Sequence, residues 1–107
     1  MPEDVELPDD GDTDVIERED QDTKEPDMYK VVLLNDDFTP REFVVEVLVQ
    51  IFHKSASDAW RLMMSAHTGG KATVGLYTYD IANTKVAQVK QKAKKHGYPL
   101  SLVVEGA

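Results

Sequence analysis

Four side chains provide most of the chemistry that this sequence offers. Asn35, Asp36 and Asp37 stand in a row between a short apolar run and a helix-like pattern, and His67 follows farther along the chain. Three short polar side chains are more than one turn needs, so some of them can face a ligand. Amide, carboxylate and neutral imidazole groups all accept hydrogen bonds. Beside an apolar pocket they suit a small cation joined to a hydrophobic group, such as the ammonium and first side chain of a peptide.

Each of these residues also has a simpler explanation. Asn35 alone is explained by the closing of a turn, and His67 by a hydrogen-bonded histidine in a helix core. Met63 precedes His67 by one turn, and it suits either the helix core or the wall of a pocket that adapts to several ligands. Three other residues flank the junction or the last strand and are candidate walls: Phe38, Val44 and Leu100.

An enzymatic interpretation is the second hypothesis. Asp36, Asp37 and His67 could bind a divalent metal or act as acid and base. The chain has no second histidine at a metal-ligand spacing, no glycine-rich phosphate loop and no Ser or Cys nucleophile motif. We therefore favour a binding protein without cofactors over a small metal-dependent hydrolase. A third hypothesis, a structural domain of ribosomal layout, predicts no affinity for N-terminal peptides.

Apolar periodicity predicts the elements that position these residues. A strand should span residues 28–34, and a helix should follow to residue 53 or 54, with Thr39 as N-cap, Pro40 first and Glu42 completing a capping box. Ser55 or Ser57 should then begin a second helix, which glycines end.

The second half of the pattern predicts two strands around a third helix. Residues 71–79 alternate, with Ala72, Val74 and Leu76 on one side. Asp80 should cap a helix that carries Ile81 on its inner face and ends before Gly97, and residues 100–105 form the last strand. The order β-α-α-β-α-β predicts an α+β sandwich of a three-stranded antiparallel sheet and three helices.

Charge is divided unevenly along the chain. Residues 1–27 hold 13 of the 20 acidic residues and two of the 12 basic residues, a net charge of −11. Without aromatic residues or apolar periodicity, this segment should be a disordered tail, either a solubilising extension or an arm that reaches a partner. Residues 28–107 have the length of one small domain with one core.

Composition also limits the partners. The chain has no cysteine and no apolar run of membrane-spanning length, and its acidic start is unlike a signal peptide, so we expect a soluble, intracellular protein without a membrane partner. Our expectation for the whole protein is a cytoplasmic monomer. Lysines crowd residues 90–95, where they suit the helix dipole, and the acidic tail would repel phosphate, so we expect no nucleic acid. Asp80 and Lys85 form either a protein-docking patch or an ordinary exposed ion pair.

The run MYKVVLLNDDFTP, residues 28–40, resembles the signature of the ClpS adaptor family, as do Glu42, Phe43 and Val44 after it. The similarity continues through Met63, Met64, Ala66 and His67, then Gly70 to Ala72, Thr84 to Val86, and Pro99 with Leu100. Members of that family recognise proteins with a bulky N-terminal residue (an N-degron: Leu, Phe, Tyr or Trp) and deliver them to the ClpA unfoldase of the ClpAP protease. The resemblance implies a bacterial, non-enzymatic adaptor whose partners are N-degron substrates and the N-terminal domain of a ClpA-type AAA+ unfoldase.

The resemblance also implies roles for individual residues. Asn35, Asp36 and His67 would hold the substrate's α-amino group, while Asp37 and Thr39 would support the junction and contact the peptide backbone. The side-chain pocket would consist of Leu33, Arg41, Val44, Met63, Ala66 and Leu100. Docking on ClpA would use Asp80, Thr84 and Lys85, and the tail would engage the unfoldase during delivery.

Three positions depart from the family pattern. Arg41 stands where Met is common at the pocket rim, and it can shield the rim with its stem while its charge stays in water. Ala66 replaces a branched aliphatic residue, which leaves the base of the pocket wider. We therefore predict a preference for aromatic N-terminal residues over Leu. Asp80 stands where Glu is frequent, and its reach is shorter.

Overall fold

The computed structural model describes residues 27–107, which form three strands and three helices in the predicted order β-α-α-β-α-β. The strands are β1 Met28–Leu34, β2 Lys71–Thr78 and β3 Leu102–Gly106, and the helices are α1 Arg41–Gln50, α2 Ala56–Gly69 and α3 Tyr79–His96. The predicted α+β class is confirmed. The tail predicted for residues 1–27 lies outside the described residues, except for Asp27. No helix within 27–107 is both long and apolar enough to cross a membrane.

β1 is the central strand of the sheet, which has the order β2-β1-β3 with both pairs antiparallel. Its alternating residues Val31 and Leu33 are almost completely buried and belong to the same core as the inner faces of the helices. The largest helical contributions to that core come from Phe43, Val47 and Leu48 of α1. The end of β1 is therefore rigidly held by a strand on each side.

A β-bulge in β2 explains one error of the sequence prediction. Val31 pairs with Gly75 and Val32 with Thr73, so Val74 is an extra residue in β2. After it, Leu76 is 53 % exposed and Tyr77 packs against the core. The prediction that Leu76 faces the core was wrong, because a one-residue insertion moves the following side chains to the opposite face.

The helix starts agree with the prediction only for α2. The Ser55 hydroxyl caps that helix and accepts a hydrogen bond from the Asp58 N–H at 3.1 Å. Thr39 and Asp80 were predicted to cap α1 and α3, but neither helix has a side-chain cap hydrogen bond. Asp80 lies inside the first turn of α3, and the Thr39 hydroxyl bonds to Asp36 instead.

The helix ends follow the glycine signals more closely. Gly70 (φ 92°) and Gly97 (φ 75°) end α2 and α3 in the left-handed conformation that glycine adopts without steric cost. α1 ends at Gln50, earlier than the predicted residue 53 or 54. Ile81 is 48 % exposed rather than inward, because the α3 core face is formed by the smaller Ala82, with Val89 and Ala93.

Candidate functional site

A pocket of about 240 Å³ opens where the end of β1 meets α1 and α2. It brings together all the residues that the family resemblance implies for ammonium, backbone and side-chain recognition. Its lining consists of Leu33, Leu34, Asn35, Asp36, Asp37, Thr39, Pro40, Arg41, Val44, Met63, Ala66, His67 and Leu100. Leu34 and Pro40 were not predicted; they stand beside predicted residues at the strand end and before the helix, which is the only signal the sequence gives for them.

The sheet register places Asn35 beside the end of α2. Leu34 pairs with the first residue of β2, and the Asn35 N–H donates to the Gly70 carbonyl at 3.0 Å. The Gly70 N–H in turn donates to the carbonyl of Ala66 in α2, at 2.8 Å. Because His67 lies in that last turn, two residues distant in sequence reach the same rim.

The carboxylate of Asp36 organises the loop between β1 and α1. Its Oδ1 accepts hydrogen bonds from the N–H groups of Phe38 (2.8 Å) and Thr39 (2.7 Å), and its Oδ2 accepts from the Thr39 hydroxyl (2.8 Å). The Thr39 side chain is buried, so its hydroxyl needs this partner. A carboxylate offers about four lone pairs, which leaves Asp36 with acceptor capacity toward the pocket. Asp37 is exposed on the same loop.

Phe38 does not form a wall of the pocket, contrary to the prediction. Its side chain is 83 % exposed. The Asp36 carboxylate accepts from the N–H groups of both residue 38 and Thr39, which makes the loop turn tightly and directs the ring into solvent. The other two candidate walls, Val44 and Leu100, do line the pocket.

The floor of the pocket is apolar. Five floor side chains are only 2 to 7 % exposed: Leu33, Val44, Met63, Ala66 and Leu100. A bulky side chain that replaced water above this floor would gain about 2–3 kcal/mol from burial. Met63 can adapt its shape to a ligand, and Ala66 leaves room at the base because its side chain ends at Cβ.

Arg41 bridges the rim to His67. Its Nη2 lies 2.9 Å from His67 Nε2, although the two residues are 26 positions apart. A guanidinium can only donate, so a hydrogen bond here requires Nε2 as the acceptor and the tautomer that carries its proton on Nδ1. This contact was not predicted, because nothing in the local sequence indicates which side chain faces a given histidine.

The geometry does not support the metal-dependent alternative. Among residues 27–107, no three His, Asp or Glu side chains converge into a metal-binding set. Asp36 already accepts three hydrogen bonds from its own loop, which leaves it a single free lone pair, and the guanidinium of Arg41 beside His67 opposes a divalent metal cation there.

Asp80, Thr84 and Lys85 lie away from this pocket, along a groove of about 230 Å³ on α3. Asp80 and Thr84 are exposed, whereas Lys85 is partly buried and its Nζ donates to the Ile51 carbonyl at 2.7 Å. The same ammonium lies 5.8 Å from the ring centroid of Tyr77, whose pKa is raised by burial, so the phenol stays neutral. Lys85 is thereby held in place between α1 and β2.

Comparison with known proteins identifies the family. Residues 24–103 match the family model described as ATP-dependent Clp protease adaptor protein ClpS. The chain belongs to the ClpS family. An ATP-dependent Clp protease adapter protein ClpS of Acetivibrio thermocellus is 54 % identical over 84 residues, which cover 78 % of this chain and 85 % of the relative. A ClpS of Burkholderia mallei is 50 % identical over 101 residues, 94 % of this chain and 97 % of the relative.

A solved structure agrees with this assignment. The structure of Agrobacterium tumefaciens ClpS2 bound to L-phenylalaninamide superposes on this protein with a TM-score of 0.75 and 44 % sequence identity. The aligned region covers 78 % of this chain and 100 % of the ClpS2 chain. The ClpS fold and the adaptor class are therefore established for the described residues.

The hydrogen bonds in the loop predict that substitutions of Asp36 and Asp37 differ in their effect on stability. Asp36→Ala removes the acceptor of three hydrogen bonds, so we expect the free energy of unfolding to fall by about 1–2 kcal/mol. Asp37→Ala is the matched control, since among residues 27–107 its side chain forms no hydrogen bond, and it should change stability by less than about 0.5 kcal/mol. Urea denaturation measures both, and equal losses would contradict the assigned role of Asp36.

Proposed function

We propose that this ClpS-family adaptor binds proteins that begin with a bulky hydrophobic residue (Leu, Phe, Tyr or Trp) and delivers them to the ClpA unfoldase of the ClpAP protease. One observation carries the proposal: a single pocket combines a rim of hydrogen-bond acceptors with a buried apolar floor. At the N-terminus of a protein, a charged α-ammonium and a side chain are attached to the same Cα. At every later position the α-nitrogen is an uncharged amide.

The rim would bind the ammonium through Asn35, Asp36 and His67. Asn35 is exposed at the strand end, Asp36 has a lone pair beyond its three loop hydrogen bonds, and His67 Nε2 can accept a hydrogen bond when the ring proton is on Nδ1. Charge-assisted hydrogen bonds of this kind are worth roughly 1.5–3 kcal/mol. Because that is too little for useful affinity, the apolar floor has to supply a comparable share.

The peptide backbone would leave the pocket past Asp37 and Thr39. Asp37 is exposed at the rim and can accept from a peptide N–H, whereas Thr39 acts through its hydrogen bonds to Asp36. The ligand of the solved ClpS2 relative, L-phenylalaninamide, has a free amine and a benzyl side chain, the two features that this pocket matches. The chain would act as an adaptor and not as an enzyme.

Peptides that begin with Phe test the two-part recognition directly. A fluorescent peptide with a free N-terminus should bind, and its N-acetylated form should bind about 10- to 150-fold more weakly because the charge-assisted hydrogen bonds are lost. A peptide with Gly in place of Phe should lose a similar factor, because it leaves the floor unfilled. Fluorescence anisotropy measures all three, and equal affinity of the free and acetylated peptides would refute the proposed function.

We further propose that the pocket prefers aromatic residues over Leu, as a consequence of Ala66 and of Arg41 at the rim. Ala66 is a buried lining residue of the pocket, and its side chain ends at Cβ, whereas a branched aliphatic residue would extend farther into the pocket. A flat aromatic ring can reach farther toward the base of the pocket than the shorter, branched side chain of Leu, so it buries more apolar surface there.

The variant Ala66→Val tests this preference by making the base shallower. Affinity for Phe and Trp peptides should fall by about 1–3 kcal/mol through overpacking, while affinity for a Leu peptide should change less. Ala87→Val, the same substitution at an exposed position of α3, should leave all three affinities unchanged. Tighter binding of Leu than of Phe by the unmodified protein would contradict the preference.

The groove on α3 would dock on the N-terminal domain of a ClpA-type unfoldase. Asp80 and Thr84 are accessible there, and Lys85 is held by its bond to the Ile51 carbonyl. The resemblance to the family supports this assignment, a cytoplasmic monomer, and a role of residues 1–27 during delivery.

The variant Thr84→Arg should separate delivery from substrate binding. A large charged side chain in the groove should slow degradation of a substrate with N-terminal Phe by ClpAP at least about tenfold, while the affinity for a Phe peptide is unchanged. Ala87→Arg, which adds the same group on α3 outside the groove, should deliver normally. Normal delivery by Thr84→Arg would remove the docking assignment.

A further inference from the structure

The rim of the pocket already contains a cation. Arg41 begins α1 and His67 lies in the last turn of α2, so their 2.9 Å contact connects two helices across the mouth of the pocket. Both side chains are exposed, and both line the pocket. The guanidinium therefore occupies an acceptor that the proposed function gives to the peptide ammonium.

Only one of the two cations can use that acceptor at a time. A neutral imidazole has a single nitrogen lone pair that can accept a hydrogen bond, and a bond from Arg41 to Nε2 uses it. A peptide ammonium beside Arg41 would also meet a like charge, which raises the free energy of the bound state. A hydrogen bond from a peptide ammonium to Nε2 and the Arg41–His67 contact are therefore mutually exclusive.

We propose that the contact between Arg41 and His67 is autoinhibitory: the guanidinium competes with the substrate ammonium for Nε2 and must leave before a peptide binds. The inference rests on the proposed function of the pocket. Displacement of the Arg41 guanidinium costs the same free energy for every ligand. Only a peptide whose first side chain fills the apolar floor gains enough binding free energy to offset that cost. Arg41 would thereby raise the affinity threshold that a peptide has to exceed before it binds.

The variant Arg41→Met isolates the guanidinium from the rest of the side chain. Methionine keeps an unbranched apolar stem at the rim but cannot donate to Nε2 and has no charge. Arg61→Met is the matched control, since Arg61 is an exposed arginine of α2 that pairs with Asp58 away from the pocket. Arg41→Met should bind a Phe peptide about 5- to 20-fold more tightly than the unmodified protein, and Arg61→Met should stay within about twofold.

A double-mutant cycle with His67→Ala distinguishes competition from simple repulsion. If Arg41 acts by occupying Nε2, adding Arg41→Met to His67→Ala should gain no more than about twofold. The same gain with and without His67 would show repulsion alone and overturn the inference, as would equal or weaker binding by Arg41→Met. If no variant binds the Phe peptide, the proposed function fails and this inference with it; binding without a gain refutes the inference alone.

Nitrogen-15 NMR tests the same contact in the unmodified protein. Addition of a saturating Phe peptide should move the guanidinium resonances of Arg41 toward those of a solvated arginine and leave those of Arg61 in place. Arg41 resonances that do not change when the peptide binds would show that the guanidinium stays on His67 and would overturn the inference.

Discussion

The geometry of the pocket depends on one backbone hydrogen bond, between the N–H of Asn35 and the carbonyl of Gly70. This bond extends the pairing of β1 and β2 by one residue beyond the end of β1. It also joins β1 to Gly70, the C-terminal cap of α2. Since that pairing is fixed by buried alternation on the inner face of β1, its register cannot shift without exposing the core. The polar rim is thus positioned by the same apolar contacts that stabilise the fold.

Polar groups near the pocket fall into two sets with different tasks. Asp36 and Thr39 satisfy each other and the loop backbone, which makes the connection between β1 and α1 rigid. Asn35, Asp37 and His67 are exposed. The acceptor of His67 contacts the exposed guanidinium of Arg41, which solvent can replace. A site of this kind needs little reorganisation of its backbone when a ligand arrives, because the movable parts are side chains.

Sequence reasoning was successful where a local pattern determines structure. Apolar periodicity and glycine signals predicted the element order, and the family signature predicted which residues would line one pocket. It failed where a distant partner decides the outcome. The bulge at Val74 moved Leu76 to the opposite face of the sheet, and Arg41 contacts His67 through the packing of two helices. No local pattern encodes either feature. The cap prediction for Thr39 failed for a local reason, because its hydroxyl bonds to Asp36, three residues earlier, instead of capping α1.

The position of β2 separates the two surfaces of the domain. Its first residue, Lys71, adjoins the pocket end of β1, and its last residue, Thr78, leads directly into the turn of α3 that carries Asp80. A strand of 8 residues spans roughly 25 Å, so the pocket and the start of α3 lie at opposite ends of β2. A ligand in the pocket and a partner on α3 would therefore contact separate sets of residues.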